Sequence, residues 1–345
     1  MLAGLMRTRS HFFHSLIAIA LTAGSSAPLA AAEADAFLGR WALTLPGGGA
    51  GWLGVTQEKG YYDASILWGG GSVVPVSSVV FVDDAMYVTR VREVKRRDAA
   101  AKVVRIQQFT EALIARVDGD ALNVVRYNPR ENGLGMTTEE FTGKRIPAHP
   151  PAPDLSQVKY GPAITLFNGR NLEGWRLTNP GQKNGWSVED GVLVNNPAQE
   201  EGKPHVSYGN LRTEREFEDF NLKLEFNVPE KGNSGIYLRG IYEVQVMDSY
   251  GRGLDPHHLG GIYSRIAPTQ SAEKAAGEWQ TMDITLLDRH VTVVLNDKKI
   301  IDNQPLLGCT GGALWADEFR PGPLYLQGDH TGVKYRNLTL RPVLD

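Results

Sequence analysis

The chain of 345 residues contains one cysteine, Cys309, so it forms no internal disulfide, whatever compartment it occupies. Basic residues are not in excess. Thirty-six Lys and Arg against 39 Asp and Glu give a formal net charge of -3, which argues against nucleic acid and against an anionic membrane surface as partners. No apolar stretch is long enough to stay in a bilayer as a helix; the run from Leu16 to Leu21 is far too short. No H-x-H or H-E-x-x-H spacing marks a zinc site. Helical periodicity is missing over any useful length of residues 163–345. What remains is a polar, glycine-rich chain whose apolar residues alternate.

The N-terminus carries Arg7 and Arg9, then the apolar run, then AGSSAPLAAAEADAF. That order is the n-, h- and c-region of a secretory signal peptide, with Ala30 and Ala32 as the A-x-A before the cut and a second A-x-A at Ala34 and Ala36. Residues 1–32 are therefore expected to be a signal peptide and the mature protein periplasmic or secreted. Their removal takes away two arginines and no acid, shifting the formal charge from -3 to -5. Cys309, with no histidine near it in sequence, reads as a half-buried small residue.

Five prolines between 146 and 162, at 147, 150, 151, 153 and 162, predict a stiff extended linker between two domains. Before it, residues 37–145 read as a small antiparallel barrel-like β domain. WALTL, GWLGVTQEK and ASILWG form strands, with turns at Asp83-Asp84 and Asp118-Gly119-Asp120. RRDAAAKVVRIQQF reads as a short helix entering a strand. No ligand cluster is evident in this half, and Arg90, Arg92, Lys95, Arg96 and Arg97 read as a solvated edge. After the linker, residues 163–345 alternate again in FNLKLEFNV, TMDITLLD, HVTVVLND, GPLYLQG and VKYRNLTLRPV. One apolar face per strand is what a two-sheet sandwich requires. The expected fold class is all-β: a lectin-like jelly-roll sandwich preceded by a small β-barrel-like domain.

The most informative segment is GNSGIYLRGIYEVQVMDSY, residues 232–250. Read as two strands split at Gly240, it puts Tyr237 and Arg239 on one face of the first. Glu243 and Gln245 share a face of the second, opposite Tyr242, Val244 and Val246. Arg, Glu, Gln and Tyr together suit a groove for a polar small molecule, although a face turned to water is the plain alternative. Tyr325, Gln327 and Asp329 form a second polar stripe ending at His330, while Leu324 and Leu326 face the core.

Ten pieces in order resemble the 3-keto-disaccharide hydrolase domain family. They begin with LFNGRNLEGWR (166–176), GWSVEDGVLV (185–194) and GNLRTEREFEDFNLKLEF (209–226). GNSGIYLRG (232–240), YEVQVMDSYG (242–251), GGIYSRIAP (260–268) and GEWQTMDI (277–284) follow. VTVVLNDKKIIDN (291–303), PGPLYLQGDH (321–330) and VKYRNLTLRP (333–342) complete the series. Gln280 departs from the asparagine more common after the GEW tryptophan, and residues 37–145 lie outside the resemblance. It implies a concanavalin A-like sandwich acting on glycosides whose glucose ring is oxidised at C3, with an upstream sugar 3-oxidoreductase making the ketone. It would also place both polar stripes on one concave face.

A C3 ketone acidifies the C2 proton, so cleavage can proceed by proton removal and loss of the C1 substituent, with or without later addition of water. This lyase or net-hydrolase route needs a base at C2, donors at the C3 oxygen and an acid at the leaving oxygen. It does not need the carboxylate pair of ordinary glycosidases, and the chain has no E-x-D-x-E strand. On this scheme Glu243 is the base, Arg239 the oxyanion partner and His330 the acid. Gln245, Asp248, His258, Arg265, Tyr325 and Gln327 would contact the sugar, and Trp315, in a loop, would stack on it. Trp186 and Trp279 are assigned to the core. A divalent cation held by Asp248, Glu243 and His258 would assist enolisation. Each residue also has a structural alternative: an Arg239–Glu243 ion pair, a turn cap at Asp248, a turn residue at His330, a solvated Arg265. A non-catalytic carbohydrate-binding sandwich is the competing reading of the whole.

Overall fold

The computed structural model describes residues 34–344, so the expected signal peptide, residues 1–32, lies outside the described residues. Alternating sequence becomes strand almost throughout. Nine strands precede the proline-rich segment: β1 (Gly39–Thr44), β2 (Ala50–Glu58), β3 (Tyr61–Trp68), β4 (Gly70–Pro75), β5 (Ser78–Val82), β6 (Ala85–Arg97), β7 (Val103–Asp118), β8 (Ala121–Pro129) and β9 (Met136–Ile146). They make one antiparallel sheet in the order β4-β3-β2-β1-β9-β8-β7-β6-β5. The two end strands are neighbours in the chain, so the sheet curls until its ends approach, and Phe81 of β5 meets the Tyr62 ring of β3 edge-on at 4.8 Å. Trp41, Leu43, Ile66, Met86 and Leu122 fill the interior. The helix expected near residues 96–109 does not form. Antiparallel pairing of β6 with β7 from Ala85↔Arg116 to Arg97↔Val103 takes those residues into a long hairpin, where β-branched Val103, Val104 and Ile106 fit better than in a helix.

Beyond the prolines come β10 (Ile164–Thr165), β11 (Trp175–Leu177), β12 (Trp186–Glu189), β13 (Val192–Asn195), β14 (Leu211–Phe217), β15 (Phe220–Asn227), β16 (Asn233–Leu238), β17 (Tyr242–Met247), β18 (Trp279–Leu287), β19 (His290–Leu295), β20 (Lys298–Pro305), β21 (Gly322–Leu326) and β22 (Val333–Pro342). One sheet has the order β12-β13-β22-β15-β18-β19-β20, with β10 also on β22. The other, of five strands, has the order β11-β14-β21-β16-β17. Phe220, Leu222, Leu224 and Phe226 from the first pack with Ile236, Leu238, Tyr242, Val244 and Val246 from the second in one apolar core. Each such side chain taken from water contributes about 1.5–3 kcal/mol, and this shared layer fixes which face of β16, β17 and β21 is left for polar residues.

The two parts touch. Trp52 of β2 lies under the Arg265 guanidinium, 4.4 Å from its ring centre, and Arg265 donates two hydrogen bonds to the Cys309 carbonyl at 3.0 and 2.6 Å. Cys309 is wholly buried rather than half-buried, and burial pushes its thiol up to about 12. Trp186 is buried as expected, whereas Trp279 is half-buried beneath the Arg336 guanidinium at 3.9 Å.

Candidate active site

The strand register builds the site. Tyr237 on β16 pairs with Glu243 on β17, and Gly235 pairs with Gln245. On the other side Tyr237 pairs with Tyr325 of β21. With core residues on the opposite face, these partners share one side of three adjacent strands. Tyr237, Glu243, Gln245 and Tyr325 line a cavity of about 240 Å³ together with Asn210, Asn233, Gln327, Asp329, His330 and Tyr263. That volume is below the roughly 300–1,000 Å³ of drug-sized ligand pockets, so it suits a single small polar ring. Gly235 is required by proximity: a Cβ there would lie 2.4 Å from Glu243 Oε1.

Glu243 is buried, 3% exposed, without a cationic group against it. Its Oε2 accepts from the Tyr237 hydroxyl at 2.8 Å. Removal from water pushes its carboxyl up to about 8, against the opposing pull of the Tyr237 hydrogen bond and the His330 charge. The Tyr237 oxygen is also 2.6 Å from the Gly311 carbonyl. A phenol has one proton, so it donates either to Glu243 or to Gly311. When Glu243 is protonated, it donates to Tyr237 and Tyr237 donates to Gly311, and both contacts are satisfied. The Tyr325 hydroxyl donates to the Gly312 carbonyl at 2.8 Å. The two rings stack with centres 3.9 Å apart and planes 10° apart.

His330 sits at the open rim. Its Nδ1 is 2.8 Å from Asp329 Oδ1, and this hydrogen bond raises its pKa above the ordinary imidazole value. Asp329 thus holds one ring nitrogen, and the other has no hydrogen-bond partner among the described residues, the arrangement of an oriented proton donor. Gln245 has an amide donor engaged by Asn233 Oδ1 and the His257 carbonyl, while its Oε1 is buried and unpartnered, as is Oε1 of Gln327. Two orphaned acceptors in one cavity are costly unless a ligand hydroxyl reaches them.

Five of the expected site residues lie away from the cavity. Arg239 does not share the face of Tyr237: it and Gly240 occupy the left-handed region at φ 54° and 68°, and Ile241 N bonds the Leu238 carbonyl. They are the central residues of a tight hairpin turn, where strand alternation has ended. The guanidinium points away and donates to the Glu318 and Arg320 carbonyls at 2.7 and 2.6 Å. Asp248 closes a turn, accepting from Lys231 N at 2.8 Å. His258 Nδ1 contacts the Gly253 carbonyl at 2.6 Å. Arg265 is committed to Cys309 and Trp52 as above. Trp315 lies 3.9 Å under the Arg320 guanidinium, packed at the edge of the core. None of these five lines the cavity. Asp248 and His258 therefore do not converge with Glu243, and the cation site drawn from these three does not assemble; among the described residues no other cluster of three or more His, Cys, Asp or Glu suits a metal.

Glu243, Gln245, Tyr325, Gln327 and His330 do come together. Asn210, Asn233 and the Gly311-Gly312 turn were not anticipated. Nor were Gly70 and Gly71 of the N-terminal sheet, which border the same cavity although that half showed no ligand cluster in sequence. Glycines and isolated asparagines carry no periodic signal, and only the tertiary contact reveals them.

The fold and cavity define a β-sandwich carrying a buried acidic site on one sheet face. The profile of the 3-keto-alpha-glucoside-1,2-lyase-like domain matches residues 162–341, and the chain belongs to that family. A curated relative, the 3-keto-disaccharide hydrolase of Bacteroides thetaiotaomicron, is 26% identical over 166 residues, or 40% of this chain. The chain spans 57% of that relative's length. Two solved structures from Parabacteroides distasonis, each described as a putative glycosyl hydrolase, are 30% and 24% identical. They cover 57% and 53% of this chain and 94% of their own, with TM-scores of 0.43 and 0.42.

Proposed function

We propose that the chain cleaves the glycosidic bond of 3-keto-glucosides by abstraction of the C2 proton. The observation that carries this reading is the placement of one buried carboxyl, Glu243, and the Asp329-held His330 on the same ring-sized polar cavity, with burial pushing the carboxyl up to about 8. Such a site suits removal of a weakly acidic carbon-bound proton near neutral pH.

The ionised Glu243 takes the C2 proton. The C–H electron pair forms the C2–C3 double bond, and the carbonyl pair moves onto the C3 oxygen. As that enediolate collapses, the C3 carbonyl reforms, a C1–C2 double bond forms and the C1–O bond breaks. The electron pair goes to the leaving oxygen, which takes a proton from His330. The products are an unsaturated 2-hydroxy-3-keto sugar and the free aglycone; addition of water across the double bond makes the net reaction a hydrolysis. With Arg239 turned away, the amide nitrogens of Asn210, Asn233 and Gln327 line the cavity unengaged within the described residues and can serve the C3 oxygen. Gln245 Oε1 accepts a ring hydroxyl. Export to the periplasm or beyond, and supply of substrate by a sugar 3-oxidoreductase, complete this reading.

The test is to incubate the purified chain with a 3-keto-glucoside and with its unoxidised parent. Cleavage of the keto compound alone, lost in Glu243→Gln while sugar binding persists, is the expected result. Binding of both sugars with cleavage of neither returns the chain to a carbohydrate-binding role.

A further inference from the structure

We infer that the Gly69–Ser72 corner of the N-terminal sheet is the end wall of the cavity, so that only the terminal ring of a substrate enters and the aglycone projects past His330. This rests on the function proposed above and adds the direction and size limit of the substrate.

The register gives the cavity two ends. Tyr237 and Tyr325 mark one. Asn233 and Gln327, displaced along the same strands, lead to Asp329 and His330 at the other. The His330 side chain is 44% exposed, whereas both tyrosines are 1% exposed, so the histidine end is open and the tyrosine end closed. The closure has two backbone layers. The tyrosine hydroxyls bond to the Gly311 and Gly312 carbonyls, and Gly312 N in turn donates to the Gly69 carbonyl at 2.9 Å. A Cβ on Gly311 would stand 2.2 Å from the Gly71 carbonyl oxygen, so no side chain separates the layers.

The corner is anchored as well as apposed. Ser72 Oγ lies 2.8 Å from His257 Nε2, and Val73 N donates to Ser264 Oγ at 2.9 Å. His257 is steadied in turn by Asp255 at 2.7 Å. These contacts join a loop of the sandwich to a strand nearly two hundred residues earlier. A wall supplied by the N-terminal sheet gives that sheet a role in substrate selection beyond its packing against the sandwich.

Gly70 offers the handle for a test. It borders the cavity, a Cβ built on it meets nothing within 4 Å, and its φ is not in the left-handed region. In the full chain, Gly70→Ala, Gly70→Leu and Gly70→Trp are compared on two 3-keto-glucosides with the same oxidised ring, one with a methyl and one with a glucosyl aglycone. Folding is checked by Tm. The expected result is a KM that climbs with side-chain size, at least about tenfold for Trp, by the same factor for both substrates because both fill the same closed end. Should Gly70→Trp fold poorly, Gly70→Leu reads the same quantity. A KM within twofold of the parent for both substrates in every variant shows that the corner does not bound the ring. A loss confined to the glucosyl substrate places the corner on the aglycone side; either result overturns the inference while leaving the function standing. If the unmodified chain cleaves neither compound, the function falls and this inference with it.

Discussion

Tyr237 and Glu243 stand opposite one another on neighbouring antiparallel strands, with the phenol 2.8 Å from the carboxylate. The pairing sets both the position and the proton affinity of the carboxyl proposed above as the base. Burial drives the carboxyl up and the phenol draws it part of the way back, leaving it at about 8.

Removing the phenol alone shifts that balance. Tyr237→Phe takes away a hydrogen bond that favours the ionised carboxylate, so the Glu243 pKa should rise further. In the parent, kcat/KM should climb with pH through a limb centred near 8 as Glu243 loses its proton. In the variant this limb moves to higher pH. A pH–rate profile that keeps the same limb in both proteins would assign it to another group.

Glu243→Gln should lower kcat by 10²–10⁴-fold, the usual contribution of a positioned base, and should change stability in the opposite sense. The folded pKa of about 8 lies above the ordinary 4.5, so the folded state holds this proton more tightly. That stability is complete below about pH 4.5 and is lost as pH rises through 8, on the order of 1 kcal/mol per pH unit across the window. Glutamine does not ionise. Denaturant midpoints should therefore show the variant gaining on the parent between pH 5 and 8, with the gap closed at pH 4.

Gly235→Ala tests the packing behind the base. Its Cβ would fall 2.4 Å from Glu243 Oε1, and Gly235 is flanked by strand partners on both sides, so the carboxylate has to swing away. Activity should drop by at least about tenfold, because sub-ångström misplacement of a catalytic group is enough to do so. A fully active Gly235→Ala would mean that the carboxylate position is not critical.

Arg239→Ala separates structure from chemistry. The guanidinium satisfies carbonyls of Glu318 and Arg320 and is 2% exposed. Its loss leaves the buried Glu318 carbonyl unpaired, at about 1–3 kcal/mol, and the more accessible Arg320 carbonyl to water. A lowered Tm with kcat/KM close to the parent in the folded fraction is expected. A specific fall in kcat at unchanged Tm would return Arg239 to the mechanism.

Much of this was legible in the sequence, and the boundary of legibility has a physical reason. Period-two alternation places Tyr242, Val244 and Val246 in the core and Glu243 and Gln245 in the cavity, because a strand has only two faces. The same rule misplaced Arg239 by extending a strand one residue into a turn. Asp248, just beyond the end of β17, failed for the related reason that a strand terminus is free to cap a turn. The Tyr325–Gln327–Asp329 stripe was visible, but its meeting with Glu243 depends on β21 lying beside β16, a pairing across nearly a hundred residues that local pattern does not encode. Gly70 and Gly71 were beyond reach, since their part in the cavity arises from contact between two sheets and no side chain of theirs announces it.

The most direct test follows the C2 proton. The chain is incubated with a 3-keto-glucoside in heavy water, and the sugar is examined by NMR as it reacts. The account predicts deuterium at C2 of the released or recovered keto-sugar, or a 2-hydroxy-3-keto sugar unsaturated between C1 and C2, with neither formed by Glu243→Gln. Cleavage that leaves the C2 proton in place, with no unsaturated product, would contradict it and put the bond-breaking step at C1 alone.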